Sequence, residues 1–154
     1  MKHKKSDNFE TKSVSSSLVR FAIDFKPEFV SDEVKQIAQL SLFDWFVVSL
    51  AGQTEPVSNI IRGQIKSDGG AEDCTVIGTA QRFPARASAL ANGTTSHALD
   101  YDDTHFAYLG HPSVAIIPAA IAIGEKTNAK PEKFWNAVIL GLEVVTRIGA
   151  WLGR

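Results

Sequence analysis

The sequence predicts an all-α protein, a multi-helix bundle with at most one short β-strand pair. Three observations predict it. Apolar residues recur at helical spacing along most of the chain, and prolines or capping residues stand where those stretches begin. Only CTVIGTAQRF, residues 74–83, combines β-branched side chains and a glycine with no helical period, which reads as a short strand or an extended link.

The elements follow in order. Residues 1–16 start basic and continue polar where a signal peptide needs an apolar core, so they read as a disordered, solvated tail. Residues 17–154 then form the helical domain. From Ser17 to Phe25 the residues Leu18, Phe21, Ala22 and Phe25 share one helical stripe, and Pro27 ends it. Ser31 caps the next helix, with Asp32 and Glu33 in the first turn where negative charge suits the helix dipole. That helix runs to about Leu50. Its first half is amphipathic through Val34, Ile37 and Ala38, whereas LSLFDWFVVSL is apolar on nearly every side except Asp44 and the serines. Such a segment belongs in the middle of a bundle. Gly52 closes it.

Pro56 to Ile65 forms another helix with Val57, Ile60, Ile61 and Ile65 inward, followed by the turn SDGGAED. Pro84 at N1 opens ARASALANGTTSHAL, whose Ala85, Ala87, Ala89, Ala91 and Gly93 permit neighbouring backbones to come close. Pro112 and Ser113 lead into VAIIPAAIAIGE, apolar all round and expected to kink at Pro118. Pro131 stands at or near N1 of the last helix, in which Glu143 and Arg147 are spaced as a helical ion pair. This helix is still apolar at Ile148, Ala150, Trp151 and Leu152, which predicts that the domain is the N-terminal portion of a larger helical one.

Charge and cysteine content restrict the function. Sixteen Lys and Arg against 17 Asp and Glu leave no field to attract nucleic acid or an anionic membrane, so neither is an expected partner. Residues 134–152 carry Asn136, Glu143 and Arg147, and the run Val114 to Ile123 is far too short to span a bilayer, so no membrane segment is predicted. The single cysteine, Cys74, allows no intramolecular disulfide, and no zinc-type Cys spacing exists; a reducing, cytoplasmic setting is expected.

One stretch concentrates the chemistry. HALDYDDTHFAYLGHPS, residues 97–113, holds three of the chain's 4 histidines together with Asp100, Asp102 and Asp103, between two very apolar helices. Three readings compete. His97, Asp100, Asp102, Asp103, His105 and His111 offer metal-ligand atoms, yet their spacing matches neither HExxH nor an EF-hand loop. An acid/base site for a small anionic substrate would use His111 or His97, its tautomer fixed by an aspartate, with Thr104 donating a hydrogen bond. The helix after Pro112 would turn free N–H groups toward a bound carboxylate. In the third reading Asp102 or Asp103 caps a helix, His97 ends a buried helix, and Tyr101 and Tyr108 pack.

ANGTTSHALDYDDTH, then GHPSVAIIPAAIAIGE and ILGLEVVTRIG, resembles the MmgE/PrpD family, which contains 2-methylcitrate dehydratase, cis-aconitate decarboxylase and iminodisuccinate epimerase, from about Val30 onward. The resemblance implies a large helical domain joined to a smaller α/β lid, homodimers, and catalysis without metal or organic cofactor. It implies a pocket lined by Asp100, Thr104 and His111 as catalytic residues, with His97, Asp103 and Ser113 nearby as substrate contacts. It also implies a di- or tricarboxylate substrate and a hydro-lyase reaction, with further pocket residues contributed by parts of longer members that have no counterpart here. A metal-dependent hydrolase and a non-catalytic helical association module are the alternatives from other classes.

Overall fold

A computed structural model of the chain describes residues 13–152. Six helices and one two-stranded antiparallel pair make up the described residues. Helix α1 (Val14–Ile23) is capped by Ser13, whose Oγ accepts the Ser16 N–H at 3.1 Å. It therefore starts inside the stretch expected to be a disordered tail, because a serine cap four residues ahead of Ser17 satisfies an orphan amide. Residues 1–12 of that tail lie outside the described residues. Leu18, Phe21, Ala22 and Phe25 are half-buried while Val19 and Ile23 are exposed, so the predicted stripe is the inward one. A 3₁₀ turn at Pro27–Phe29 leads on.

Helix α2 (Asp32–Gly52) begins where the serine cap predicts, with Ser31 Oγ accepting the Val34 N–H. Its placement differs from expectation. One face is buried, through Ala38, Trp45, Val48, Ser49 and Gly52, while Leu40, Phe43, Val47 and Leu50 on the other face are exposed. An apolar residue records a preference for burial; here the described neighbours of α2 stand on one side only. The same holds in α3 (Pro56–Asp68), where Ile65 is buried and Ile61 packs beside it but Val57 and Ile60 face out.

The extended link forms the short pair β1 (Cys74–Thr75) and β2 (Arg82–Phe83), with Cys74 opposite Phe83. Two such strands cannot stand alone. They are held by α4 (Ala85–Ser96) and α5 (Ser113–Lys126). Asn92 of α4 accepts the Ile77 N–H at 2.9 Å and donates to the Thr75 carbonyl at 3.0 Å, and Glu125 of α5 accepts both the N–H and the hydroxyl of Thr75. Cys74 is fully buried and donates to the Ala122 carbonyl; burial pushes its thiol pKa up, reinforced by Glu125 and Asp73.

Helix α4 starts one residue later than expected, with Pro84 as N-cap. Its small residues do what their size predicts. A Cβ added to Gly52 of α2 would collide with the Thr95 carbonyl of α4, and one added to Gly93 of α4 would lie 3.2 Å from the Val114 carbonyl of α5. That carbonyl lacks its ordinary helical donor because position 118 is proline, yet α5 continues through Pro118 as one helix. Helix α6 (Pro131–Trp151) has proline at N1, and Trp45, Ile117 and Val138 form the main core cluster between α2, α5 and α6. Arg147 meets Glu143 at 3.1 Å and also lies over the Phe21 ring at 4.3 Å, tying α1 to α6. No helix among the described residues is long and apolar enough to cross a membrane.

Two glycine substitutions should separate packing from propensity. Gly52→Ala forces α2 and α4 apart and should cost about 1–3 kcal/mol, whereas Gly63→Ala, with open space around it in α3, should gain up to about 1 kcal/mol. Urea unfolding of the two variants measures both; equal effects would contradict the close approach.

Candidate active site

The loop between α4 and α5 carries the site. His97 is the C-cap of α4, its N–H donating to the Gly93 carbonyl at 3.2 Å, and His111 stands two residues before α5. The packing of α4 against α5 thereby brings the two imidazoles together, with ring centroids 4.7 Å apart and planes inclined at 62°. Two carboxylates flank them on opposite sides. Asp102 lies beneath, its side chain 1% exposed, with Oδ1 at 2.8 Å from His97 Nδ1 and 3.3 Å from His111 Nδ1. Asp100 lies on the solvent side, its side chain 78% exposed, with Oδ1 at 3.7 Å from His97 Nε2 and 3.5 Å from His111 Nε2. Asp100 adopts a left-handed backbone (φ 55°), a conformation that aspartate tolerates better than most side chains and that aims its carboxylate back over the rings.

The other predicted residues sit elsewhere. Asp103 turns away from the rings and caps α5, its Oδ1 accepting the Ser113 N–H at 3.2 Å and its Oδ2 the Ser113 hydroxyl. The first free amide of α5 and the Ser113 hydroxyl are thus already occupied by Asp103. Thr104 lines a separate concavity of about 330 Å³ with Val34, Ala38, Asp103, Pro112 and Leu142. His105 folds into its own turn, where Nδ1 accepts the Ala107 N–H. Of the six residues considered as metal ligands, Asp103 and His105 are therefore separate, and His97, Asp100, Asp102 and His111 have ligand atoms within 4.8 Å of one another.

Residues 16–154 match the family described as MmgE/PrpD N-terminal domain. The chain belongs to the MmgE/PrpD family. Over 145 residues it is 28% identical to the cis-aconitate decarboxylase-like protein oryM of Aspergillus oryzae (strain ATCC 42149 / RIB 40), covering 90% of this chain and 30% of that relative, so it spans under a third of the relative's length.

In this MmgE/PrpD domain one residue beside the site escaped the sequence reading. Asp44 of α2 approaches Asp103 and Asp102 from below, and its Oδ2 is buried with no hydrogen-bond partner among the described residues. Burial raises its pKa, the charge of Asp103 raises it further, and the Asp103 backbone N–H opposes both. A lone carboxylate inside LSLFDWFVVSL was the available signal. By sequence alone it is only an interruption of an apolar surface.

The raised Asp44 pKa means the folded protein keeps this proton to higher pH than the unfolded chain does. Its contribution to stability therefore falls as pH climbs from the ordinary carboxylate value, about 4, through the raised one. Asp44→Asn should match the wild type in melting temperature at about pH 3 and gain on it progressively toward neutrality. A pH-independent difference would refute the burial of charge at this position.

Gly149 of α6 braces the loop from behind: a Cβ there would lie 2.5 Å from Tyr108 Cα and 2.6 Å from the Ala107 carbonyl. Gly149→Ala should displace residues 105–110, visible as amide NMR shifts centred on that segment with smaller changes at Asp100 and Asp102. Shifts spread evenly over the chain would contradict this bracing.

Proposed function

We propose that the chain carries the histidine–aspartate part of the active site of a cofactor-independent lyase acting on a di- or tricarboxylic acid, with elimination of water of the 2-methylcitrate dehydratase kind as the leading reaction. The observation that carries this reading is the apposition of Asp100 and His111 on the solvent side of the loop. A proton next to a carboxylate is weakly acidic, and its removal needs a base held near the carbon and tuned to neutral pH, which imidazole beside a carboxylate provides. His111 moves the proton, and Asp100 stabilises the ring once Nε2 carries that proton; Thr104, which lines the neighbouring concavity, is left without a role at the proton-transfer centre. The Asp103 cap supports a narrower role than direct binding for Asp103 and Ser113, that of fixing the start of α5 beside His111.

Membership of the MmgE/PrpD family and the printed name of the oryM relative support a lyase. Decarboxylation, the reaction in that relative's printed name, breaks a carbon–carbon bond to release CO₂ and needs a proton delivered to the carbon left behind, a transfer that a protonated imidazole can make. His111→Ala should lower turnover of the accepted acid by about 10²–10⁴-fold, measured across a panel of citrate-, methylcitrate- and aconitate-like acids. Unchanged turnover of every acid that the wild type accepts would defeat the assignment. Undiminished activity after dialysis against a chelator is expected on the same reading.

A further inference from the structure

The contacts of the two rings determine where their protons sit. His111 Nδ1 is 3.1 Å from the Asp102 backbone carbonyl and 3.3 Å from Asp102 Oδ1. Both are acceptors only, so this nitrogen must be the donor. His97 Nδ1 is 2.8 Å from the same Oδ1 and carries a proton by the same argument. In the neutral rings Nε2 is then the lone-pair nitrogen in both, and both Nε2 atoms lie on the side of the exposed Asp100.

We propose that Asp102 is a positioning residue that holds His97 and His111 in one tautomer, and that His97 Nε2 is the second acid/base group of the reaction, paired with His111 Nε2. A second, independent observation points the same way. Asp102 Oδ2 is buried with no partner among the described residues, a costly state for a carboxylate whose other oxygen is bonded to His97 and lies 3.3 Å from His111 Nδ1. Packing alone would favour an apolar side chain there.

The pairing deepens the lyase reading and rests on it. Elimination of water needs one group to take a proton from carbon and another to give one to the departing hydroxyl. His111 Nε2 takes the carbon-bound proton, the electron pair of that bond forms the double bond, and the carbon–oxygen bond breaks. His97, protonated at Nε2, supplies the proton with which the hydroxyl leaves as water. The pair starts and ends with one shared Nε2 proton, moved from His97 to His111. Asp100 Oδ1 lies 3.7 Å from one Nε2 and 3.5 Å from the other, placed to return that proton after product leaves.

Long-range ¹H–¹⁵N NMR on the histidine-labelled chain, at a pH where the rings are neutral, tests the tautomers without any assay of turnover. The wild type should show protonated Nδ1 and lone-pair Nε2 for both rings. Asp102→Ala should move His97 to the Nε2-protonated form, and His111 less completely because the backbone carbonyl still accepts from it. Asp102→Asn, which keeps an acceptor oxygen, should retain the wild-type pattern, and Asp100→Ala should not change it. Nε2 protonation of either ring in the wild type overturns the proposal even if no variant folds, as does an unaltered His97 in Asp102→Ala. For turnover, His97→Gln should lower kcat by about 10²–10⁴-fold with a smaller change in KM; wild-type kcat would remove His97 from the reaction. If the tautomers hold while His111→Ala is fully active, the lyase reading fails and the positioning by Asp102 stands.

Discussion

Backbone contact at two glycines sets the geometry on which the site depends. Gly52 lets α2 rest against the Thr95 carbonyl, and Gly93 lets α5 rest against α4 at the Val114 carbonyl. Ala85 of α4 and Ala122 of α5 are buried together, so small side chains line that contact as well. Since α4 ends at Ser96 and α5 starts at Ser113, this packing fixes both anchors of the intervening loop. The histidines at its two ends meet because the helices do.

Beneath the loop three carboxylates crowd together, and each is accommodated differently. Asp103 sits at the N-terminus of α5, where it accepts two bonds from Ser113. Asp102 meets His97 Nδ1 with one carboxylate oxygen and His111 Nδ1 with its backbone carbonyl, and its other carboxylate oxygen has no partner among the described residues. Asp44 has neither arrangement, and the protein answers by disfavouring its charge. Such a graded set explains why residues adjacent in sequence, Asp102 and Asp103, part company in space: alternate positions of an extended loop face opposite ways, one toward the rings and the other toward the helix end.

Helix order, capping and the strand pair were legible in the sequence because they rest on local physics. Ser31 caps where a serine before two acids should, Pro131 opens α6, and the one stretch without helical period is the one pair of strands. Burial was less legible. Trp45 and Phe43 look alike in an apolar run, yet one is sealed in the core and the other is exposed. Periodicity reports preference, and which neighbours are present decides the outcome. Within the site, the sequence reading put Asp100, Thr104 and His111 together with His97, Asp103 and Ser113 nearby; the structure brings Asp100, His111 and His97 within reach of one another, and Thr104 opens onto the concavity beside α2 and α6. The sequence did not single out Asp102, since three aspartates within four positions are indistinguishable until the backbone gives each a direction.

The turn between Thr104 and His111 is closed on itself. His105 and Gly110 pair across it, the Leu109 N–H returns to the His105 carbonyl, and Phe106 at the tip is 97% exposed. Its stem is closed by these bonds, and Ala107 and Tyr108 rest against Gly149 of α6, which leaves Phe106 alone at the tip. A side chain exchanged at Phe106 would alter the surface there and leave those contacts in place. The fold thus keeps the imidazole–carboxylate cluster and the exposed tip of the bend on separate pieces of chain, so that sequence change at the tip need not disturb the cluster.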